Sequence, residues 1–223
     1  MANKSITITT MKFPEIRLQT RDAHKLRGYF GNLFKEYSPL LHNHYETGEL
    51  RYRYPLVQYK VLNGIPTLVA INEGAQLLNS LFMKIRSVNI DGEVYPVHSK
   101  NILTREVPVG YSEKLIEYRF DTLWMALNQD NFRQFQLADE SAKIQKLQNI
   151  LIGNVLSFFK GIDLRLENEH RLMTIIKPRE KTAKFKDNTM LAYDGHFIIN
   201  ALLPQGIGLG KGVSRGFGCI SPK

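Results

Sequence analysis

Apolar and polar positions alternate from the start of the chain. Ile6 and Ile8 are followed by Met11, Phe13, Ile16 and Leu18, which predicts extended structure over residues 5–18. The period then lengthens. Leu26, Tyr29, Phe30, Leu33 and Phe34 share one face of a helix predicted over residues 21–37, with Thr20 as its cap and Ser38-Pro39 as its stop. Two strand-like runs follow, residues 50–62 and 66–71, joined by Asn63-Gly64, the dipeptide favoured by a tight hairpin. Leu77, Leu78, Leu81, Phe82 and Ile85 form the stripe of a second helix, residues 74–86. A turn at Asp91-Gly92 leads into extended chain around Val94, Tyr95 and Val97.

Strand, helix, strand, strand, helix, strand is the ferredoxin-like order, also used by RNA-recognition modules. The second half starts the same way. Residues 114–127 read as a strand, and Asp139 is placed to cap a helix reaching Phe159, with the stripe Ile144, Leu147, Leu151, Val155, Phe158 and Phe159. Strand-like runs recur near residues 171–176, 189–193 and 197–203, but no second helix is legible between 177 and 223. The expected fold class is α+β, with two tandem ferredoxin-like domains at residues 1–112 and 113–223. The second is degenerate, and the join lies just after Pro108-Val109-Gly110.

Composition narrows the function. With 43% hydrophobic residues in 223, the chain can bury a core, and its formal charge of +9 favours a polyanionic partner. The single cysteine, Cys219, excludes an internal disulfide framework and any Cys-rich zinc site. The start, MANKSITITTMKF, has no apolar stretch of the kind a signal peptide needs. No run of about 18 apolar residues predicts a membrane span. A cytoplasmic protein is expected.

Six of the 16 glycines fall within residues 206–218, GIGLGKGVSRGFG. Such spacing permits positive φ and lets backbone N–H groups approach a phosphate, with Lys211 and Arg215 adding charge. A Walker A loop is excluded because Lys211 is followed by Gly212. A dinucleotide fingerprint is excluded because no register reads GxGxxG and too little chain follows. Ile207, Leu209, Val213 and Phe217 are the wrong residues for a flexible linker.

The stretch LPQGIGLGKGVSRGFGCI resembles the C-terminal glycine-rich signature of the CRISPR repeat-processing endoribonucleases, within the superfamily of repeat-associated RNA-binding (RAMP) proteins. The resemblance implies two ferredoxin-like domains, CRISPR repeat RNA as ligand, and metal-independent cleavage with no organic cofactor. It implies RNA contacts at Gly206, Gly208, Gly210, Lys211, Gly212, Ser214, Arg215 and Gly216. Effector-complex proteins and a homodimer are the protein partners considered. The alternative reading is a non-catalytic RAMP-type subunit that holds the processed RNA.

His42 and His44 lie in a polar, glycine-containing segment after the first predicted helix. Spaced i, i+2, they point the same way only if that segment is extended. A metal site and a solvated loop pair are the other readings of the same two residues. RNA carries its own nucleophile, the 2′-OH, so the reaction needs a base for that hydroxyl and an acid for the departing 5′-oxygen. Imidazole serves either purpose near neutral pH. The resembled family places its catalytic histidine in this region, and some members use a tyrosine of the first helix and a nearby basic residue; Tyr29 and Arg51 are the counterparts here. Finally, Lys177, Arg179, Lys181, Lys184 and Lys186 put five basic residues in ten positions, with Phe185 among them. This segment is expected to form a hairpin that follows an RNA backbone, although a solvated charged loop has the same composition.

Overall fold

A computed structural model of the chain describes residues 3–33, 54–128, 132, 135–185 and 188–223. They form two compact units. The first comprises Ser5–Val107 with Ser214–Gly216, and the second Met1–Lys4, Pro108–Val213 and Phe217–Lys223.

The first unit contains β1 (Asn3–Lys12), α1 (Ala23–Leu33), β2 (Val57–Leu62), β3 (Ile65–Ile71) and α2 (Glu73–Leu81). A two-stranded hairpin, β4 (Ser87–Ile90) and β5 (Glu93–Pro96), then precedes the long β6 (Asn101–Phe120). The sheet order β2-β3-β1-β6 is that of a ferredoxin-like fold, with the first residues of β6 as its fourth strand. Asn63 and Gly64 both have positive φ, 52° and 78°, as a two-residue hairpin matched to strand twist requires. Phe13, Phe30 and Tyr59 stack in the core with centroids 5.9 and 6.0 Å apart, beside buried Leu26, Val61, Leu68 and Leu78.

Three boundaries differ from expectation. A 3-10 turn (Thr20–Asp22) precedes α1, and Asp22 rather than Thr20 makes the end contact, accepting from the Gln19 N–H at 3.0 Å. Beyond Leu81 the second helix tightens into a 3-10 turn, Phe82–Lys84. Val94 and Tyr95 belong to the side hairpin, not to the main sheet. The sheet's fourth strand lacks apolar alternation because its first residues are largely exposed. Phe34, Ser38 and Pro39 lie outside the described residues.

The second unit contains the rest of β6, α3 (Glu140–Gly161), β7 (Thr174–Phe185), β8 (Asn188–Leu202) and β9 (Ile220–Pro222). Strand β9 pairs β6, β6 pairs β8, and β8 pairs β7, all antiparallel. This order repeats that of the first unit, so both are ferredoxin-like. In place of the second helix, the glycine-rich chain makes one 3-10 turn, Val213–Arg215. Asp139 caps α3 by accepting from the Ala142 N–H at 2.8 Å. Leu147, Leu151, Val155, Phe158 and Phe159 are buried, and Ile144 is half-buried. Strand β6 stops at Phe120; Trp124 and Met125 continue as isolated bridges to Tyr193 and Lys211. The basic segment from Lys177 onwards is the first strand of the antiparallel hairpin formed by β7 and β8, in keeping with the hairpin reading and not with a loop. None of the described helices is long and apolar enough to cross a membrane.

Candidate nucleic-acid interface

Within the second unit, the glycine-rich loop is held by its own backbone. Leu209 N–H donates to Gly218 O (2.9 Å), Lys211 N–H to Met125 O (3.0 Å), and Gly218 N–H to Leu123 O (2.8 Å). Gly210 has φ +90°, and a Cβ there would lie 2.7 Å from the Trp124 Nε1. That indole is fully buried and donates to Asn154 Oδ1 on α3 at 3.0 Å. Trp124 also exchanges two backbone bonds with Tyr193 (2.7 and 2.9 Å), which ties the loop's support to β8. Gly218, at φ +65°, would place a Cβ 1.9 Å from Leu209 O. Packing therefore demands glycine at these positions before any ligand is considered. Between them, the N–H groups of Gly210 and Gly212 donate to no group among the described residues, and Lys211 beside them is exposed. Those donors and that ammonium are what the loop can offer an anion.

Ser214, Arg215 and Gly216 belong to the first unit. A Cβ on Gly216 (φ +91°) would meet Ala23 Cβ at 2.8 Å and Tyr59 O at 3.2 Å, so glycine lets the chain lie against α1 and β2. Arg27 on α1 is pushed below the usual guanidinium range by burial and then by the nearby charge of Arg215. The Tyr59 hydroxyl is buried with no hydrogen-bond partner among the described residues, and burial raises it well above the usual phenol range, against the opposing effect of Arg27. On the other face of β2, Lys60 is fully buried and donates to Gln58 Oε1 at 2.9 Å. Tyr29 has its hydroxyl committed to Ser87 O at 2.8 Å and packs edge-on to Phe30.

Back in the second unit, strand register assembles a basic row. Arg119 on β6 faces His196 on β8, which faces Lys177 on β7. The next residues along these strands, Tyr118, Phe197 and Ile176, are buried and point the opposite way. Arg179 donates its Nε to Asp194 Oδ1 at 2.7 Å, and Arg119 donates its Nε to Asp121 Oδ1 at 3.0 Å. Glu117 takes the Lys223 ammonium at 2.9 Å, which holds its carboxyl below the usual range, and lies 3.6 Å from His196 Nε2. Arg119, Lys177, Arg179, His196 and Lys223 line a cleft of about 380 Å3. Lys181 lies further along β7, 3.9 Å from Asp194, and Lys184 follows it on the same strand.

His42, His44 and Arg51 lie outside the described residues, as does Lys186. Glu167, Glu169 and His170 bring three ligand atoms within 4.8 Å of one another, but both acids are exposed.

Comparison with known proteins decides the family. The Cas6b N-terminal domain matches residues 4–108 and the Cas6b C-terminal domain residues 110–223. The chain belongs to the Cas6b family. A crystal structure of Cas6b aligns with a TM-score of 0.93 at 31% identity, over 99% of this chain and 100% of that one. The crystal structure of the CRISPR RNA processing endoribonuclease Cas6b gives 0.80 at 29% identity, with the same coverage. An uncharacterized protein of Methanocaldococcus jannaschii is 32% identical over 143 residues, 64% of this chain and 97% of its own.

In this Cas6b chain, the sequence singled out the glycine loop and the basic residues of β7 as candidates and did not single out Arg119, His196 or Lys223, which line the cleft beside Lys177 and Arg179. Arg119, His196 and Lys223 are neighbours only through pairing between β6, β8 and β9. Each stands alone in the linear sequence, so no local signal marks them.

Proposed function

We propose that this chain, a CRISPR RNA processing endoribonuclease, cuts repeat RNA by attack of a 2′-OH on the adjacent phosphate. The O2′–P bond forms and the P–O5′ bond breaks, giving a 2′,3′-cyclic phosphate and a 5′-OH. Of His42 and His44, one takes the proton from the 2′-OH and the other gives a proton to the departing 5′-oxygen. No metal is needed for a nucleophile that the substrate itself carries. Arg51 and Tyr29 are the proposed auxiliaries. For Tyr29 this requires the hydroxyl to exchange its bond to the Ser87 carbonyl for one to RNA. Gly206, Gly208, Gly210, Lys211, Gly212, Ser214, Arg215 and Gly216 hold the phosphate backbone near the cut, and Lys177, Arg179, Lys181, Lys184 and Lys186 hold it further along. The observation that carries the reading is the agreement of both halves with the two Cas6b domains. Transfer of product to effector-complex proteins, a homodimeric state and a cytoplasmic setting belong to the same proposal.

The test is cleavage of the host's CRISPR repeat RNA in EDTA by native protein, His42→Ala and His44→Ala. A second substrate carries a 2′-deoxy group 5′ of the cut. Native cleavage that disappears with the deoxy substrate and falls by about 100-fold or more in a histidine variant is expected. Binding without cleavage by the native protein would point instead to an RNA-holding subunit. Undiminished cutting by both variants would remove the histidines from the mechanism.

A further inference from the structure

The cleft on the second unit's sheet is lined by residues outside the glycine-rich signature. We propose that Arg119, Lys177, His196 and Lys223 form a phosphate-binding subsite that takes one internal phosphodiester of the bound repeat RNA, apart from the glycine loop. The proposal rests on the RNA-binding reading above and adds a site to it.

Three features separate this cleft from scattered surface charge. First, the acids stand outside its lining. Asp121, Asp194 and Glu117 each pair with a cation of the cleft, and none of the three lines it. Both aspartates take only the Nε of their arginine, which leaves the terminal guanidinium nitrogens for a second acceptor. Arg119 is fixed further by a bond from its Nε to Ser221 Oγ at 3.1 Å on β9, so the fork is positioned before any ligand arrives.

Second, Lys177 forms no ion pair among the described residues, although it stands directly across from His196. The three carboxylates offset three of the permanent cations, and Lys177 remains as net positive charge in the cleft. An anion is the natural counterpart.

Third, the strands approach closely at the cleft. Gly195 faces Pro178, with φ +121°, and a Cβ on it would lie 2.2 Å from Lys177 O. A side chain at 195 would force the two strands apart, so glycine keeps His196 and Lys177 on adjacent strands at ladder distance.

An internal phosphodiester fits better than a terminal phosphate or a free anion because the row continues. Lys177, Arg179 and Lys181 lie on one face of β7 at two-residue steps of about 6.6–6.8 Å. Successive phosphates of an extended RNA strand are spaced comparably. The site resembles the sheet face of an RNA-recognition module in position, with cations where such modules carry stacking aromatics.

The test measures affinity for a non-cleavable 2′-deoxy repeat RNA by fluorescence anisotropy across a salt series. The full chain is used as native protein, as the double variant R119Q/H196Q, as K177Q, and as K143Q. Lys143 lies on α3 and pairs with Glu140, so K143Q serves as the charge control. The double variant is expected to bind about 10-fold more weakly, and K177Q to flatten the salt slope by about 0.7. K143Q should shift neither. Because K177Q breaks no ion pair, it keeps the test alive if the double variant fails to fold, as its melting curve would reveal. Competition by inorganic phosphate or a 5′-monophosphate dinucleotide, with no dependence on RNA length, would overturn the assignment to an internal phosphodiester. Native-like binding by both K177Q and a folded double variant would overturn the subsite alone. Absence of RNA binding by the native protein would overturn the RNA reading as well.

Discussion

At Gly210 the backbone sits at φ +90° against the indole of Trp124, the chain's single tryptophan. Alanine there must strain the backbone and displace the ring, at a cost of roughly 2–4 kcal/mol. Gly153 on α3 is the opposite case, with nothing within 4 Å of the added Cβ and no positive φ. Gly153→Ala should stabilise the same unit by about 0.5–1 kcal/mol. Urea unfolding followed through Trp124 fluorescence reads both variants, and equal effects would mean that the loop is not packed on the indole. The six clustered glycines were legible in the sequence as a place where backbone meets something closely. For Gly210 and Gly218 the partner in contact is the protein itself, and only geometry separates that role from phosphate binding.

At the scale of elements, the N-terminal end of α1 is tied to the β4–β5 turn by an ion network. Lys25 lies 2.9 Å from Asp22 and 2.7 Å from Asp91. Burial by itself would raise the Asp22 carboxyl, but Lys25 and the Gln19 N–H outweigh it and hold the group below its ordinary value. A depressed carboxyl contributes stability above its unfolded value, about pH 3.9, which is lost as pH falls through the folded one. Bonds to Asp91 and then Asp22 raise Lys25, so its contribution is lost only when pH rises beyond about 10.4. K25M should therefore cost at most about 1 kcal/mol at neutral pH. Its melting temperature should converge with the native one as pH falls through the lowered folded-state value of Asp22. Thermal melts between pH 2.5 and 7 measure this; a constant gap would mean that Lys25 acts through packing. The turn in this network, Asp91-Gly92, was readable from sequence, as was Asn63-Gly64, because positive φ at two successive positions narrows the choice of residues. The fourth strand of the first unit was not readable, because exposed residues carry no alternation.

For the whole molecule, the formal +9 favours nucleic acid, and strand pairing decides where part of that charge gathers. If Arg119 and Lys177 together neutralise one phosphate and Lys181, Lys211 and Arg215 one each, log affinity for single-stranded repeat RNA should fall with log salt at a slope of roughly −3. A filter-binding series from 50 to 400 mM salt measures the slope. A value near −1 would mean that most of this charge never meets the RNA.

The sequence by itself determined the strand, helix, strand, strand, helix order that opens the first half, the α3 cap at Asp139, the lack of a second helical stripe in the C-terminal half, and the family to which the glycine signature belongs. These are local properties: period, capping chemistry and turn geometry act between residues a few positions apart. Only the tertiary structure set Arg119, His196 and Lys177 in one row, Trp124 under Gly210, and Arg215 within reach of Arg27. Their separation along the chain runs from tens of residues to nearly two hundred, and what unites them is hydrogen-bond register and packing, which no local pattern encodes.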